Sequence, residues 1–596
     1  MVYVTVHIDP MLGEPAARVN PETDMAKKFD IDTIAVIHPT VSSQGMISMT
    51  SLPPSGVGAD TQLSGAAAVV AQFKACGVTH IYGVPGGDCS LDIIAAAEAV
   101  GILFVLARGE NSAAMMAAAA YQVTGKLGVV LTTRGPGLAN GVNGVACAML
   151  DRSAIVIISD GYENEQSFVS HQRFDQQRVL EPVVKGSLRV DAPTVLPAVG
   201  PLLDLALARP AGPVYLEVTG QGMRNSVPAL SLTVQPAERE SLRPAAAGAI
   251  AAACARMASA KRPVIVAGLQ TREANAAGAL RALAAQWNCP VFTTYMGKGA
   301  IPDADPLMMG HFMAGGAEDE TMKSADLILT FGLDPIELLP KPWRYEAAVI
   351  ELATYPFTRN HWVPAVSLVG DLADTATRLA QDLTRSPWNP ADAKALKAHM
   401  RQRASALQDG VITPTLLART VCEMLPDNAR ITVDAGAHML PVLAFHEAKN
   451  PHDALVSRGL ATMAYALPSA IGAALSDPER PVVAFTGDGG LMMCAGELAT
   501  AAQTGCRLVV VVFNDSAIAM IGVKQNQRGF ERQGMDYSQS DFAQVARGFG
   551  CESFRVDDPS QLVSTIEKAL ACTGPCLVDV VVNPETYNAQ IRSLRG

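Results

Sequence analysis

The segment Val482 to Met520, VVAFTGDGGLMMCAGELATAAQTGCRLVVVVFNDSAIAM, constrains the fold more than any other stretch of this chain. A branched apolar run, Val482 to Phe485, passes into Gly487-Asp488-Gly489-Gly490 and then into helical apolar spacing from Leu491 onward. A second apolar run, Leu508 to Phe513, ends in Asn514-Asp515. Strand, glycine turn, helix and strand in that order predict a βαβ unit with parallel strands. If those strands are neighbours, Asp488 and Asp515 project from one carboxyl edge of the sheet, where open α/β sheets bind ligands. Glycines let backbone N–H groups approach a phosphate, and the start of a helix favours an anion. Two oxygen ligands suit Mg2+, which fills its octahedron with phosphate oxygens and water. The segment reads as a pocket for a metal-bound diphosphate.

The same alternation recurs along the chain. From Ser64 it runs helix, short strand (Ile81, Tyr82), turn, helix, strand (Leu103 to Leu106), and a second unit places strands at Pro263 to Ala267, Val291 to Thr294, Leu327 to Phe331 and Val349 to Leu352. Such alternation predicts parallel sheets covered by helices. With 596 residues the chain exceeds a single core, which stops growing near ~250–300 residues. Proline-containing linkers at Pro236 to Ala245 and Ser386 to Asp392 divide it. The fold class expected is α/β, with three doubly wound parallel-sheet domains at 61–235, 246–385 and 410–596. Residues 1–60 lack periodicity and carry Pro10, Pro15, Pro21, Pro39, Pro53 and Pro54, which reads as a mobile extension, with Met46 or Met49 as later candidate starts. Gly128 to Asp160 gives strand, Gly135-Pro136-Gly137, helix, strand and acid, the order found around Gly487. The first and third domains therefore look like relatives, although any two βαβ units share much of this pattern.

Charge and cysteine usage narrow the partners. The net charge of −11 argues against nucleic acid or an anionic membrane. No apolar run reaches the roughly 18–20 residues of a membrane span, and the amino terminus lacks a basic-then-apolar signal pattern. Eleven cysteines without a paired framework fit a reducing compartment, so a soluble cytoplasmic protein is expected.

Six ordered motifs carry a resemblance. They are Gly83-Val84-Pro85-Gly86-Gly87, Arg108-Gly109-Glu110, Gly135-Pro136-Gly137, Met296-Gly297-Lys298-Gly299-Ala300-Ile301-Pro302, Gly459-Leu460-Ala461-Thr462-Met463 before Leu467-Pro468, and Gly487-Asp488-Gly489 followed by Asn514-Asp515. From about residue 62 to 590 the chain resembles the thiamine diphosphate enzymes of the acetolactate synthase and pyruvate decarboxylase superfamily, most closely the acetolactate synthase-like large subunits. The resemblance implies pyrimidine-binding, central and diphosphate-binding domains in that order, with thiamine diphosphate and Mg2+ as cofactors. It also implies self-association, because the first domain of one subunit meets the third of another; a homodimer is the minimum, and homotetramers are common. The activity it implies is decarboxylation of a 2-oxo acid with carboligation to a second carbonyl compound. A non-oxidative decarboxylase, a synthase with an unusual acceptor and a catalytically silent paralogue stand as alternatives.

The resemblance also assigns residues. Glu110 would hydrogen-bond N1′ of the aminopyrimidine and so activate the cofactor; taken alone it also suits the first turn of a helix. Asp488, Asp515 and the carbonyl of Ala517 would hold Mg2+, with Asp515 departing from the usual asparagine. Val84, Gly87, His438, Gly487, Gly489 and Gly490 would contact the cofactor, although a lone histidine is also a common structural residue. Met463 would prop the cofactor in its bent shape, Ala461 would accept from its 4′-amino group through its carbonyl, and Met520 would line the substrate side. A core methionine is the plainer reading of Met463. His171 and Gln172 stand near where decarboxylases carry His-His and acetolactate synthases Phe-Gln; His171 would relay protons and Gln172 bind the substrate carboxylate. Lys524 stands where acetolactate synthases carry a tryptophan that shapes the acceptor pocket, and it would pair with an anionic substrate or extend to water. Asp88 would reach the thiazolium side. The central Gly268-Leu269-Gln270 turn is no GxGxxG fingerprint, and bound FAD is left open.

Overall fold

The computed structural model describes residues 62–595 apart from 229–240, 315, 359–360 and most of 389–409, so the extension at 1–60, with Met46 and Met49, lies outside the described residues. Three six-stranded sheets follow one another along the chain, and all their strand pairs are parallel. In spatial order the first sheet runs Leu103–Leu106, His80–Val84, Gly128–Thr132, Ile155–Asp160, Val214–Val218, Ser187–Val190. The third runs Ala454–Val456, Arg430–Val433, Val482–Gly487, Leu508–Asn514, Cys576–Val581, Glu552–Val556. With strands numbered in chain order within each sheet, both read 2-1-3-4-6-5, whereas the central sheet, from Pro263–Ala267 to Val366–Val369, reads 3-2-1-4-5-6. A short antiparallel pair, Gln62–Ser64 against Ser226–Pro228, joins the start of the first domain to its end.

Burial on both faces explains the strand composition. Leu508–Asn514, LVVVVFN, is buried at every position, as expected for a central strand covered by helices on both sides. Its register pairs Gly487 with Phe513, so Asp488 and Asp515 leave neighbouring strands at the same edge. The structure also adjusts several expected limits. The strand at 482 extends to Gly487, that at 508 to Asn514, and Ile81-Tyr82 belongs to His80–Val84. The helix expected from Leu491 instead begins at Asp488, stops at Met492 and resumes as Glu497–Thr504. The break turns Glu497 towards the first domain, where its carboxylate accepts the Arg108 N–H at 3.0 Å.

The first and third domains of the chain pack through two alanine-rich helices, Glu110–Thr124 and Ala466–Ser476, which share one buried cluster. Gly472 permits the approach: a Cβ there would stand 2.2 Å from the Met116 carbonyl oxygen. Among the described residues no helix is long and apolar enough to cross a membrane.

Candidate functional site

A cleft of about 330 Å3 opens at the carboxyl edge of the third sheet. Its lining includes His438, Ala461, Met463, Gly487, Asp488, Gly489, Gly490, Asp515, Ala517, Met520 and Lys524, so all the expected third-domain residues meet there. The Asp488 carboxylate accepts its neighbour's N–H, from Gly489 at 2.8 Å, and that of Ser516 at 2.6 Å. This second bond ties the loop after Leu508–Asn514 to the glycine turn. Burial, reinforced by the charge of Asp488, pushes the Asp515 carboxyl up to about 8. A buried and a half-buried carboxylate that repel each other are the donor set a hard divalent cation neutralises. Among the described residues no cluster of three or more His, Cys, Asp or Glu side chains competes for a metal. A Mg2+ ion, which relies on few protein groups, fits Asp488, Asp515 and the Ala517 carbonyl.

Other features of the cleft fit a diphosphate. His438 stacks on Phe513 with ring centroids 5.2 Å apart, and its buried Nε2 has no hydrogen-bond partner among the described residues. Burial lowers its pKa to about 4 against a backbone hydrogen bond at Phe485, so the ring is neutral near pH 7 and lines the cleft without adding a charge. Side chains are excluded from the cradle: a Cβ at Gly436 would meet the His438 ring at 2.5 Å, and one at Gly490 would lie 2.2 Å from the Asp434 carboxylate. Asp434 is a residue that sequence reading missed. Its buried carboxylate accepts from Tyr465 N–H at 2.9 Å, Ala464 N–H at 3.2 Å and Thr486 Oγ1 at 2.8 Å, and so joins the glycine turn to the loop carrying Met463. It follows the strand Arg430–Val433 as Asp488 follows Gly487, and that acid after an apolar run was the available signal. Tyr587, also missed, enters the cleft from the C-terminal helix Tyr587–Arg595, more than seventy residues beyond the metal loop.

The Met463 loop is held in an uncommon conformation. Ala461 and Ala464 have φ of 53° and 66°, in the left-handed region that alanine seldom occupies, and such strain concentrates at functional sites. Thr462 anchors the loop to Asn143 of the first domain at 3.2 Å. Met463 then reaches the glycine turn, where its Cε would touch a Cβ on Gly489 at 3.4 Å.

The first-domain residues assemble elsewhere. Glu110 begins the helix Glu110–Thr124, is buried, and accepts a hydrogen bond from Asn140 at 2.5 Å. It does not line the third-domain cleft of its own chain. Val84 ends the strand His80–Val84, and Gly87 has nothing within 4 Å of a built Cβ, so the turn is open. Asp88 is engaged by Arg134 at 2.6 Å and Arg224 at 2.7 Å; burial opposes its charge, but these hydrogen bonds hold its carboxyl below the usual range. Both His171 and Gln172 are exposed, the His171 carbonyl accepts from the Tyr162 hydroxyl, and Gln172, with φ of 54°, packs against Gly135. The structure thus gathers the expected third-domain residues in one cleft and leaves the expected first-domain residues outside it.

The central domain fills the turn where the phosphates of FAD would be expected. Its sheet reverses direction between Pro263–Ala267 and Leu327–Phe331, where a dinucleotide's phosphates would lie. There the buried Glu337 carboxylate accepts the N–H groups of Leu269 at 2.8 Å and Asp334 at 3.0 Å. Those N–H groups are the anchors a diphosphate would need at this turn, and they are already taken.

Comparison with known proteins agrees with the geometry. Residues 63–179 match the thiamine pyrophosphate enzyme N-terminal TPP binding domain, 250–379 the central domain and 434–580 the C-terminal TPP binding domain. The chain belongs to the thiamine pyrophosphate enzymes. It is 30% identical to acetolactate synthase of Bacillus subtilis (strain 168) over 533 residues, which covers 87% of this chain and 93% of that protein. It is 30% identical to the acetolactate synthase large subunit of Haemophilus influenzae over 560 residues, 89% of this chain and 97% of the relative. With the catabolic acetolactate synthase of Raoultella terrigena the identity is 28% over 536 residues, 87% and 95% of the two chains. The chain is thus a thiamine diphosphate-dependent, acetolactate synthase-like enzyme with the three-domain α/β fold expected from its motifs.

Proposed function

We propose that this thiamine pyrophosphate enzyme uses Mg2+ and decarboxylates a 2-oxo acid, joining the remaining fragment to a second carbonyl compound as acetolactate synthases do. The observation that carries this reading is the third-domain cleft, where two mutually repelling carboxylates, a buried His438 nitrogen unpartnered among the described residues and glycines that exclude Cβ atoms occur together. Asp488, Asp515 and the Ala517 carbonyl would hold the cation, and His438 with the N–H groups of Gly489 and Gly490 would receive the diphosphate. Met463 and Ala461 would set the cofactor's bend. When bound, the cofactor supplies the nucleophilic carbon and the electron sink that loss of carbon dioxide needs. Glu110 would hold a proton at the pyrimidine nitrogen N1′, with Asn140 orienting its carboxylate.

Glu110 stands outside the cleft of its own chain, which supports a site completed by a second copy, as in the family. In that assembly Asp88, His171 and Gln172 would face the substrate from the partner's first domain. The direct test is turnover of pyruvate with Mg2+ and thiamine diphosphate, with products identified. Acetolactate and carbon dioxide in equal amounts are expected; free aldehyde without acetolactate would make the enzyme a decarboxylase and sink the carboligase assignment.

A further inference from the structure

The helix Ala519–Gln527 leaves the metal loop along the cleft, and Met520, Ile521 and Lys524 line it. Met520 and Lys524 are four residues apart and so share one helix face. Among the cleft's charged side chains, Asp434 is taken up by backbone and Thr486 donors, and Asp488 by the Gly489 and Ser516 N–H groups. The Arg458 guanidinium lies over the Tyr295 ring, 5.7 Å from its centroid. The charged groups acting on Asp515 are Asp488, Arg532 and Asp536, and Arg532 is paired with Asp536. Lys524 remains: its ammonium makes no hydrogen bond or ion pair among the described residues.

The reaction decides what such a cation can usefully hold. The donor's carboxylate leaves as neutral carbon dioxide, so an ammonium paired with it would stabilise the ground state and oppose catalysis. An acceptor 2-oxo acid keeps its carboxylate throughout. The electron pair released from the donor's C–C bond forms the new bond to the acceptor's carbonyl carbon, and the acceptor oxygen takes up one proton. Donor, acceptor and proton thus give the hydroxy-oxo acid and carbon dioxide, with no oxidant or reductant.

We propose that Lys524 is a specificity residue that binds the retained carboxylate of the acceptor, so that the enzyme favours a second 2-oxo acid over a neutral aldehyde. This assignment rests on the carboligase reading above and adds the residue that recognises its acceptor. A charge-assisted hydrogen bond to the acceptor accounts for about a 10- to 100-fold preference. Its exposed position on the helix makes substitution compatible with folding.

The test gives the holoenzyme pyruvate as donor and acetaldehyde as a competing neutral acceptor, and measures the ratio of acetolactate to acetoin for wild type, Lys524→Met and Lys524→Arg. The ratio should fall about 10- to 100-fold in Lys524→Met and return to within a few-fold of wild type in Lys524→Arg. A ratio unmoved in Lys524→Met, or both products falling by the same factor in both variants, would overturn the assignment. Carbon dioxide release by wild type, dependent on thiamine diphosphate, reports the parent reading separately. Its absence sinks both, whereas its presence with an unmoved ratio sinks the role of Lys524 alone.

Discussion

The first and third domains share one strand order, 2-1-3-4-6-5, yet their carboxyl edges carry opposite chemistry. The third edge gathers Asp488, Asp515 and a glycine cradle around a cleft, with polar groups left unsatisfied. The first edge spends its charges internally: Asp88 is engaged by Arg134 and Arg224, Glu110 by Asn140, and the Asp160 carboxylate accepts the Ser90 N–H at 3.0 Å. One scaffold delivers loops to the same place twice, and residues in those loops decide what each edge can do. Under the function proposed, a diphosphate and cation would take the unsatisfied edge, and proton handling the satisfied one.

The sharpest break of this comparison is a pair of substitutions with opposite signatures. Glu110→Gln should lower turnover about 100- to 10,000-fold while Mg2+ and thiamine diphosphate titrations stay within a few-fold of wild type. Asp488→Asn should instead weaken apparent Mg2+ affinity, by about 10- to 100-fold, read from activity against Mg2+ concentration. Asp515→Asn removes one of the two repelling carboxylates and should move that affinity less. Swapped signatures would reverse the division of labour between the two edges.

The glycine turns sharpen the contrast in stability. Gly490→Ala drives a Cβ into the Asp434 carboxylate and should cost about 2–3 kcal/mol in denaturant unfolding. Gly87→Ala, at the turn after the strand His80–Val84 of the first domain, meets open space and should change stability by less than about 1 kcal/mol. Equal effects would show that the two edges are packed alike.

The central domain adds the smallest and most pH-dependent effect. Burial pushes the Glu337 carboxyl up to about 7, from an ordinary 4.5. A raised carboxyl contributes stability that is complete below about pH 4.5 and is lost as pH rises through about 7. Glu337→Gln, which keeps an oxygen for the two N–H groups, should therefore melt like wild type near pH 5. At pH 8 it should be more stable, by about 1–2 kcal/mol. Melting curves that stay parallel at both pH values would remove the titration argument.

Much of the diphosphate half was legible in the chain because its signals are local. Apolar runs ending in Gly487-Asp488 and Asn514-Asp515 specify strands, and parallel pairing brings their ends together. Asp434 carried the same signal more weakly, because no glycine run follows it at once. Tyr587 and Glu497 carried none: each enters through tertiary packing across many residues of chain. The helix break after Met492 was hidden for the same reason, since the apolar spacing continues while the chain turns Glu497 to Arg108. Asp88 looked free beside its glycines, and only the fold shows that Arg134 and Arg224 reach it.

The central claim is that a working site takes its two halves from different subunits. Subunits carrying Glu110→Gln and Asp488→Asn, produced together under two affinity tags and purified through both, test it most directly. Each mixed pair should contain one intact site, so activity should return to about one quarter to one half of wild type, far above either variant alone. Activity no higher than the mean of the two variants would mean that Glu110 and Asp488 serve the same chain, and would contradict the account.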